Sequence, residues 1–282
     1  MSDIDLNTYA QFTWCPGCGN FGILSAFKSA LKELVSSDKI KLENVVVAAG
    51  IGCHAKIMDY VKLNNFYSLH GRVPPPLTGI KLSNPSLIPI GFAGDGDAYA
   101  EGINHLIHAA RRNSDIKMVI HNNQVFALTT GQFTPTSPEG LKTKTSPEGC
   151  IERPINPLAL MLVSGATFVA RGFSGNVEHL KNLMKEAIRH KGFAIIDVLM
   201  PCIVFNKVFQ FYKERVYDLN ESGHDVKDFN SALAKTYEWR DKIPIGIFYK
   251  TERKTFEEQI LKGKVLVEDK KIASIAHIIN KR

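Results

Sequence analysis

At 282 residues and 44% hydrophobic, the chain can bury a large core, and it holds no apolar run near the roughly 18 residues that a membrane span requires. Lys and Arg outnumber Asp and Glu by 35 to 28, and the net charge of +7 suits anionic partners; the basic residues are dispersed and no nucleic-acid motif accompanies them, so nucleic acid is excluded. Met1 to Thr13 is polar and acidic, unlike a secretory signal, so a cytoplasmic protein is expected, and its five cysteines point to metal, catalysis or burial rather than disulfides.

The first motif is Cys15-Pro16-Gly17-Cys18, whose spacing suits two ligands on one metal centre. With distant cysteines completing the set, an iron-sulfur cluster, a four-cysteine zinc site and a redox-active Cys-x-x-Cys all fit it. Ile23, Leu24, Phe27, Leu31 and Leu34 then recur at helical steps after Asn20, which reads as an N-cap. Val45-Val46-Val47-Ala48-Ala49 reads as a buried parallel strand that delivers Gly52-Cys53 at its carboxyl end, where sites form in open α/β sheets.

The same strand-then-loop pattern recurs twice. Leu87 to Ala93 feeds Gly94-Asp95-Gly96, and Ile116 to Ile120 feeds His121-Asn122-Asn123. Between them Tyr99, Ile103, Leu106, Ile107 and Ala110 form a helical stripe, which makes a parallel strand-helix-strand unit. The stretch Thr129 to Pro157 is rich in Gly, Pro, Ser and Thr and repeats Thr-Ser-Pro-Glu-Gly by coincidence; so long a loop is expected to be functional or covered by a partner. A helix over Asn176 to His190 and a strand over Ala194 to Leu199 lead to Pro201-Cys202. The expected architecture is an α/β domain over 1–204, a mostly parallel sheet flanked by helices, with an irregular C-terminal extension over 205–282 that packs on the domain or on a partner subunit.

Asp95 and Asn123 carry the strongest chemistry. A carboxylate and an amide oxygen, completed by the carbonyl of Val125, suit Mg²⁺, which favours oxygen ligands and bridges phosphates. Gly94 and Gly96 allow close backbone approach, and the helix that follows presents its N-terminus to a diphosphate.

The segment from Gly94-Asp95-Gly96-Asp97 through Gly102-Ile103-Asn104-His105 to Ala109-Ala110-Arg111-Arg112-Asn113 resembles the thiamine-diphosphate domain of 2-oxoacid:ferredoxin oxidoreductase β subunits. The likeness extends to Trp14-Cys15-Pro16-Gly17-Cys18-Gly19, Gly50-Ile51-Gly52-Cys53, Leu69-His70-Gly71-Arg72, Thr78-Gly79-Ile80-Lys81-Leu82 and Thr130-Gly131-Gln132. His54, Ser83 and Pro74-Pro75-Pro76 depart from the usual pattern and bear on specificity.

The resemblance implies thiamine diphosphate with Mg²⁺, and a 4Fe-4S cluster on Cys15, Cys18, Cys53 and Cys202, with Cys150 left as an ordinary free cysteine. It implies attack of the thiazolium carbanion on a 2-oxoacid such as pyruvate or 2-oxoglutarate, loss of CO₂, transfer of the acyl group to coenzyme A, and passage of electrons to ferredoxin. Ile51, Gly52, Cys53, His54, Gly96, Asp97, Ala127 and Leu128 are expected along the cofactor. His70 would donate to a diphosphate oxygen or order the site, Lys56 would attract a substrate carboxylate or a coenzyme A phosphate, and Leu128 would set side-chain size. The glutamate that protonates the aminopyrimidine would come from an α or fused γα partner, because Glu101 reads as a helix-N-terminal acid. A non-oxidative thiamine decarboxylase subunit and a non-enzymatic iron-sulfur or zinc subunit are the competing readings.

Overall fold

The structure, a computed structural model, describes residues 4–268. Its strands in chain order are β1 Val45–Ala49, β2 Asn64–Tyr67, β3 Ile88–Gly94, β4 Lys117–Asn122, β5 Val125–Phe126, β6 Gln132–Phe133, β7 Phe168–Phe173, β8 Ala194–Leu199, β9 Val216–Asp218 and β10 Ile243–Lys250. Eight of them form one sheet in the order β2-β1-β3-β4-β8-β7-β10-β9, and β5 and β6 pair separately. All neighbours in the large sheet run parallel except β7 and β10.

The apolar runs are buried on both faces, as a parallel sheet covered by helices demands. Alternate residues split between two cores: Val47, Phe92, Val119 and Ile196 pack with the helices Asn20–Ser36 and Val177–Arg189, whereas Ala48, Ala93, Ile120 and Ile195 face Leu77, Leu106 and Leu162 on the other side. The β3–β4 register sets Gly94 beside His121, and the β4–β8 register sets Asn122 beside Leu199. Three chain segments, those after Gly94, Asn122 and Leu199, therefore emerge together at one edge, with Gly50 just past β1 beside them.

Three local expectations change. Asn20 does not cap its helix: Gly19 occupies that position, and buried Asn20 instead places Oδ1 2.7 Å from His121 Nδ1. The stretch after Asp95 is a π-type turn, Gly96–Glu101, and the α-helix begins only at Ile103. The extension after residue 204 is not irregular where it is described. Ile243–Lys250, an apolar run broken by a single Gly, joins the sheet edge against β7, and Val216–Asp218 pairs with it in turn. Residues 269–282 of that extension lie outside the described residues.

The long loop closes on itself: Gly140 N donates to Cys150 O at 2.7 Å and Cys150 N to Leu141 O at 2.9 Å, which lays one Thr-Ser-Pro-Glu-Gly copy against the other. Cys150 is buried there, with Sγ 3.8 Å from Glu152 O.

At the opposite edge of the sheet lies a buried ionic cluster. Asp115 pairs with Lys117 at 2.5 Å and with Lys81 at 2.8 Å. Burial alone would raise its pKa, but the two lysines override that and hold it well below the usual carboxylate range. Beside the cluster, burial reinforced by Lys117 and Lys250 pushes His190 down to about 4. A histidine whose folded pKa lies below its unfolded value of about 6.5 is neutral in the fold, so the unfolded chain binds more protons between those two values and stability falls with acidification there. Thermal midpoints should therefore drop between about pH 6.5 and pH 4.5, and His190→Gln should flatten that dependence; an unchanged slope in the variant would reject the assignment.

Candidate active site

One cleft opens at the carboxyl edge of the sheet. Ile51, Gly52, Cys53, His54, His70, Gly94, Asp95, Gly96, Asp97, Asn123, Val125, Ala127 and Leu128 all line it. Thirteen residues chosen from four separate loops thus meet in one place. Lys56 does not: its Nζ donates to Thr13 O at 3.3 Å, outside the lining, although it lies near enough to Cys53 to lower that thiol's pKa.

Asp95 is 2% exposed. Its Oδ2 accepts from Thr134 Oγ1 at 2.6 Å and Thr136 Oγ1 at 2.8 Å, while Asn123 N lies 3.4 Å from Oδ1. Burial pushes the carboxyl up to about 6 against those hydrogen bonds, and among the described residues no lysine or arginine pairs with it. A desolvated carboxylate beside the Asn123 amide oxygen is a hard, oxygen-only donor set, which a divalent cation such as Mg²⁺ fits. Asn123 Oδ1 also accepts from Val125 N at 3.0 Å, which holds the loop in place. Asn122 points to the other face, where Nδ2 donates to Asp197 at 3.2 Å.

Asp97, also 2% exposed, is the second buried acid. Gly71 N donates to its Oδ1 at 2.6 Å, His54 Nε2 lies 3.3 Å from Oδ2 and His70 Nδ1 lies 3.5 Å from Oδ1. Gly50 makes this possible, because a Cβ there would sit 1.8 Å from Asp97 Oδ2. Gly96 is equally constrained, with an added Cβ only 2.2 Å from the Phe126 ring.

Four atoms in this cleft are buried without a hydrogen-bond partner: His54 Nε2, His70 Nδ1, Asp97 Oδ2 and His121 Nε2. Of these, His54 Nε2 and Asp97 Oδ2 lie 3.3 Å apart and His70 Nδ1 lies 3.5 Å from the same carboxylate, so His121 Nε2 is the one left for a polar ligand, since native interiors satisfy nearly all such groups. Sequence reasoning missed His121, whose ring lies 5.7 Å from that of His54 and is held neutral by burial and by His54. Its position beside Asn122-Asn123 was the available signal. It also missed Phe126, Thr129, Met200, Thr134 and Thr136; the three threonines lie in the long loop, and no local pattern distinguishes them from its other hydroxyls.

Glu101 is exposed and donates nothing to the cleft; its carbonyl accepts from Arg72 Nη1 at 2.9 Å. It closes the π-type turn rather than starting the helix.

The cysteines meet at the rim. Cys15, Cys18, Cys53 and Cys202 are free thiols, and Cys53 also lines the cleft. Burial, then Cys18 and Cys202, push Cys53 up to about 11, and Cys18 is raised by burial and by Cys202 and Cys15. Cys15, Cys18 and Cys202 thus lie within electrostatic reach of Cys53, and Cys15 and Cys202 within reach of Cys18. Peptide N–H groups face two of the sulfurs: Phe205 N is 3.4 Å from Cys202 Sγ, and Asn20 N donates to Cys18. Trp14 Nε1 donates to Cys53 O at 2.6 Å, tying the Cys15–Cys18 turn to the cleft loop. Four thiols with N–H donors to sulfur form a donor set that suits an iron-sulfur cluster. Among the described residues no three His, Cys, Asp or Glu side chains close around a single ion.

Residues 50–198 match the family described as thiamine pyrophosphate enzyme, C-terminal TPP binding domain, and residues 202–264 match the family described as the C-terminal part of the pyruvate ferredoxin oxidoreductase beta subunit. The chain is 45% identical over 262 residues to a 2-oxoacid:ferredoxin oxidoreductase subunit beta of Saccharolobus solfataricus, covering 88% of this chain and 85% of that protein. It is 37% identical over 254 residues to the 2-oxoglutarate synthase subunit KorB of Archaeoglobus fulgidus, covering 90% of each. The solved 2-oxoglutarate:ferredoxin oxidoreductase from Magnetococcus marinus, with 2-oxoglutarate, coenzyme A and succinyl-CoA bound, superposes with a TM-score of 0.89 at 34% identity, over 100% of this chain and 96% of that one.

Proposed function

This chain belongs to the β subunits of the 2-oxoacid:ferredoxin oxidoreductases, and on that premise we propose that it holds thiamine diphosphate through Mg²⁺ in the cleft and a 4Fe-4S cluster on Cys15, Cys18, Cys53 and Cys202. With an α or fused γα partner it would oxidise a 2-oxoacid such as pyruvate or 2-oxoglutarate to the acyl-CoA and CO₂, and pass the electrons to ferredoxin. The observation that carries this reading is that Cys53 lines the same cleft as Asp95, Asn123 and His121 with its unpartnered Nε2. When bound, the thiazolium supplies a carbanion for the keto carbon and the cluster supplies one-electron steps.

The chain's own residues bind and orient. Asp95 and Asn123, with the Val125 carbonyl, would hold the cation, and Thr134 and Thr136 fix the Asp95 carboxylate that faces it. His54 and His70 flank Asp97, with His54 Nε2 and His70 Nδ1 turned to its carboxylate, and both side chains line the cleft that would take the cofactor. Half-exposed Leu128 sits at the mouth of the cleft, where its bulk limits the substrate side chain. The Phe205 and Asn20 N–H groups would stabilise the electron-rich sulfurs of a bound cluster. Lys56 is withdrawn from the cleft, so a contact with substrate would need it to leave Thr13 O. Free thiols throughout suit a reducing cytoplasmic compartment, and among the described residues no helix is long and apolar enough to cross a membrane.

The test is anaerobic purification of the chain with its co-expressed partner, followed by iron, sulfide, zinc and thiamine-diphosphate analysis of one sample. About four irons and four sulfides per β chain with bound thiamine diphosphate is the expected result; zinc without thiamine would reject the reading. In Cys53→Ser the iron content should fall to near zero while thiamine diphosphate is retained, since the oxygen ligands of the cation are untouched.

A further inference from the structure

The cluster ligand Cys202 and the cation loop at Asn123 are joined by a single buried side chain that neither site was expected to contain. Asn206, 6% exposed, donates from Nδ2 to Asn123 O at 3.0 Å and lies 3.3 Å from Gln124 Oε1. At its other end Asn206 N donates to Cys202 O at 3.1 Å, closing the turn in which Phe205 N faces Cys202 Sγ. Gln124 carries the chain onward from there. It holds a left-handed φ of 62°, strained for a residue with a side chain, and its Nε2 donates to Thr136 O at 2.9 Å. Thr136 Oγ1 in turn donates to Asp95.

Resting on the cofactor assignment above, we propose that Asn206 is a positioning residue that locks the Cys202 turn to the Asn123–Gln124 loop, so that one buried carboxamide sets the separation between the cluster and the diphosphate anchor. Asn206 does not line the cleft. Its leverage comes from geometry. Electron transfer slows steeply with distance, and a displacement of about 1 Å at a reacting centre can cost about 10²-fold. Among the described residues no other side chain hydrogen-bonds Asn123 O, so losing the Nδ2 donor leaves a buried carbonyl without its partner at the residue that would supply the cation's amide ligand.

The test uses the assembled enzyme with its partner, comparing wild type with Asn206→Asp, which removes the donor at constant size, and Asn206→Ser, which removes the reach. Two readouts are taken: the Kd for thiamine diphosphate at saturating Mg²⁺ by calorimetry, and the electron paramagnetic resonance line shape of the dithionite-reduced cluster. Both variants should bind thiamine diphosphate about tenfold more weakly, the effect of one unpaired buried acceptor, and both should show an altered cluster line shape at unchanged iron content. Tyr212→Phe, which removes only the 3.1 Å bond to Gln124 Oε1, serves as the comparison and should leave the line shape as in wild type. An affinity change without a spectral change, or the reverse, overturns the bridge, because the residue would then serve one site alone. Equal effects from Tyr212→Phe overturn it as well, in favour of general packing. Wild-type enzyme that shows neither thiamine binding nor a cluster signal would instead overturn the cofactor assignment itself.

Discussion

Asp95→Ala in the assembled enzyme is expected to abolish retention of thiamine diphosphate and to lower 2-oxoacid oxidation by about 10³-fold or more, with iron and sulfide unchanged. Burial has removed water from this carboxylate, and only two hydroxyls and a peptide N–H replace it. A divalent cation bound there would gain a ligand that no other residue of the cleft can replace, since the other buried acid, Asp97, is engaged by Gly71 N and flanked by two histidines. Cations that clamp phosphate groups contribute several kcal/mol, and about 4 kcal/mol corresponds to about 10³ in rate. Asp95→Asn separates binding from folding. It keeps the volume and can still accept from Thr134 and Thr136, so the fold should survive while the charge is lost. Wild-type thiamine content in Asp95→Asn would show that the cation is held elsewhere.

The second large effect concerns the partner. The chain purified alone should show no measurable 2-oxoacid oxidation, and activity should appear on addition of the α or γα subunit. The physical ground is an inventory of acids. The cleft-lining residues include two carboxylates, Asp95 and Asp97, and no glutamate. Under the proposed assignment Asp95 holds the cation, and Asp97 is enclosed by His54, His70 and Gly71. Glu101 is exposed and does not line the cleft. Among the described residues of the cleft no glutamate is therefore placed to make the proton transfer that thiamine chemistry requires at the aminopyrimidine, and general acid-base help of that kind is worth about 10² to 10⁴-fold on its own. Turnover by the isolated chain at the rate of the assembled enzyme would contradict this, and would direct attention to His54, His70 and His121 as proton carriers.

The strands that carry the site were legible because their signal is local. Val45–Ala49 and Ile88–Gly94 are apolar throughout, Lys117–Asn122 is built on Met118-Val119-Ile120, Ala194–Leu199 is interrupted only by Asp197, and each leads into residues with chemistry in them. A parallel sheet brings the carboxyl ends of such strands to one edge whatever the detail of its packing, so Cys53, Asp95, Asn123 and Cys202 had to come near one another once the strands paired in parallel. The strand Ile243–Lys250 carried an equally local signal, yet the charged sequence around it suggested an irregular tail. Its antiparallel place beside β7 depends on a partner more than 70 residues earlier in the chain.

Residues and spacing alone thus determined the α/β class, the candidate oxygen ligands of a cation, the candidate cysteine set and, through the motifs, the family to which the chain belongs. The tertiary structure decided what the loops do with their side chains: that Thr134 and Thr136 reach back 39 and 41 residues to Asp95, that Asn206 reaches back 83 to Asn123, that Asn20 meets His121 instead of capping a helix, and that Lys56 turns to Thr13. Hydrogen bonds between loops have no period to betray them. They form only after the hydrophobic faces of the sheet have met their helices and brought distant hydroxyls, amides and carbonyls within about 3 Å.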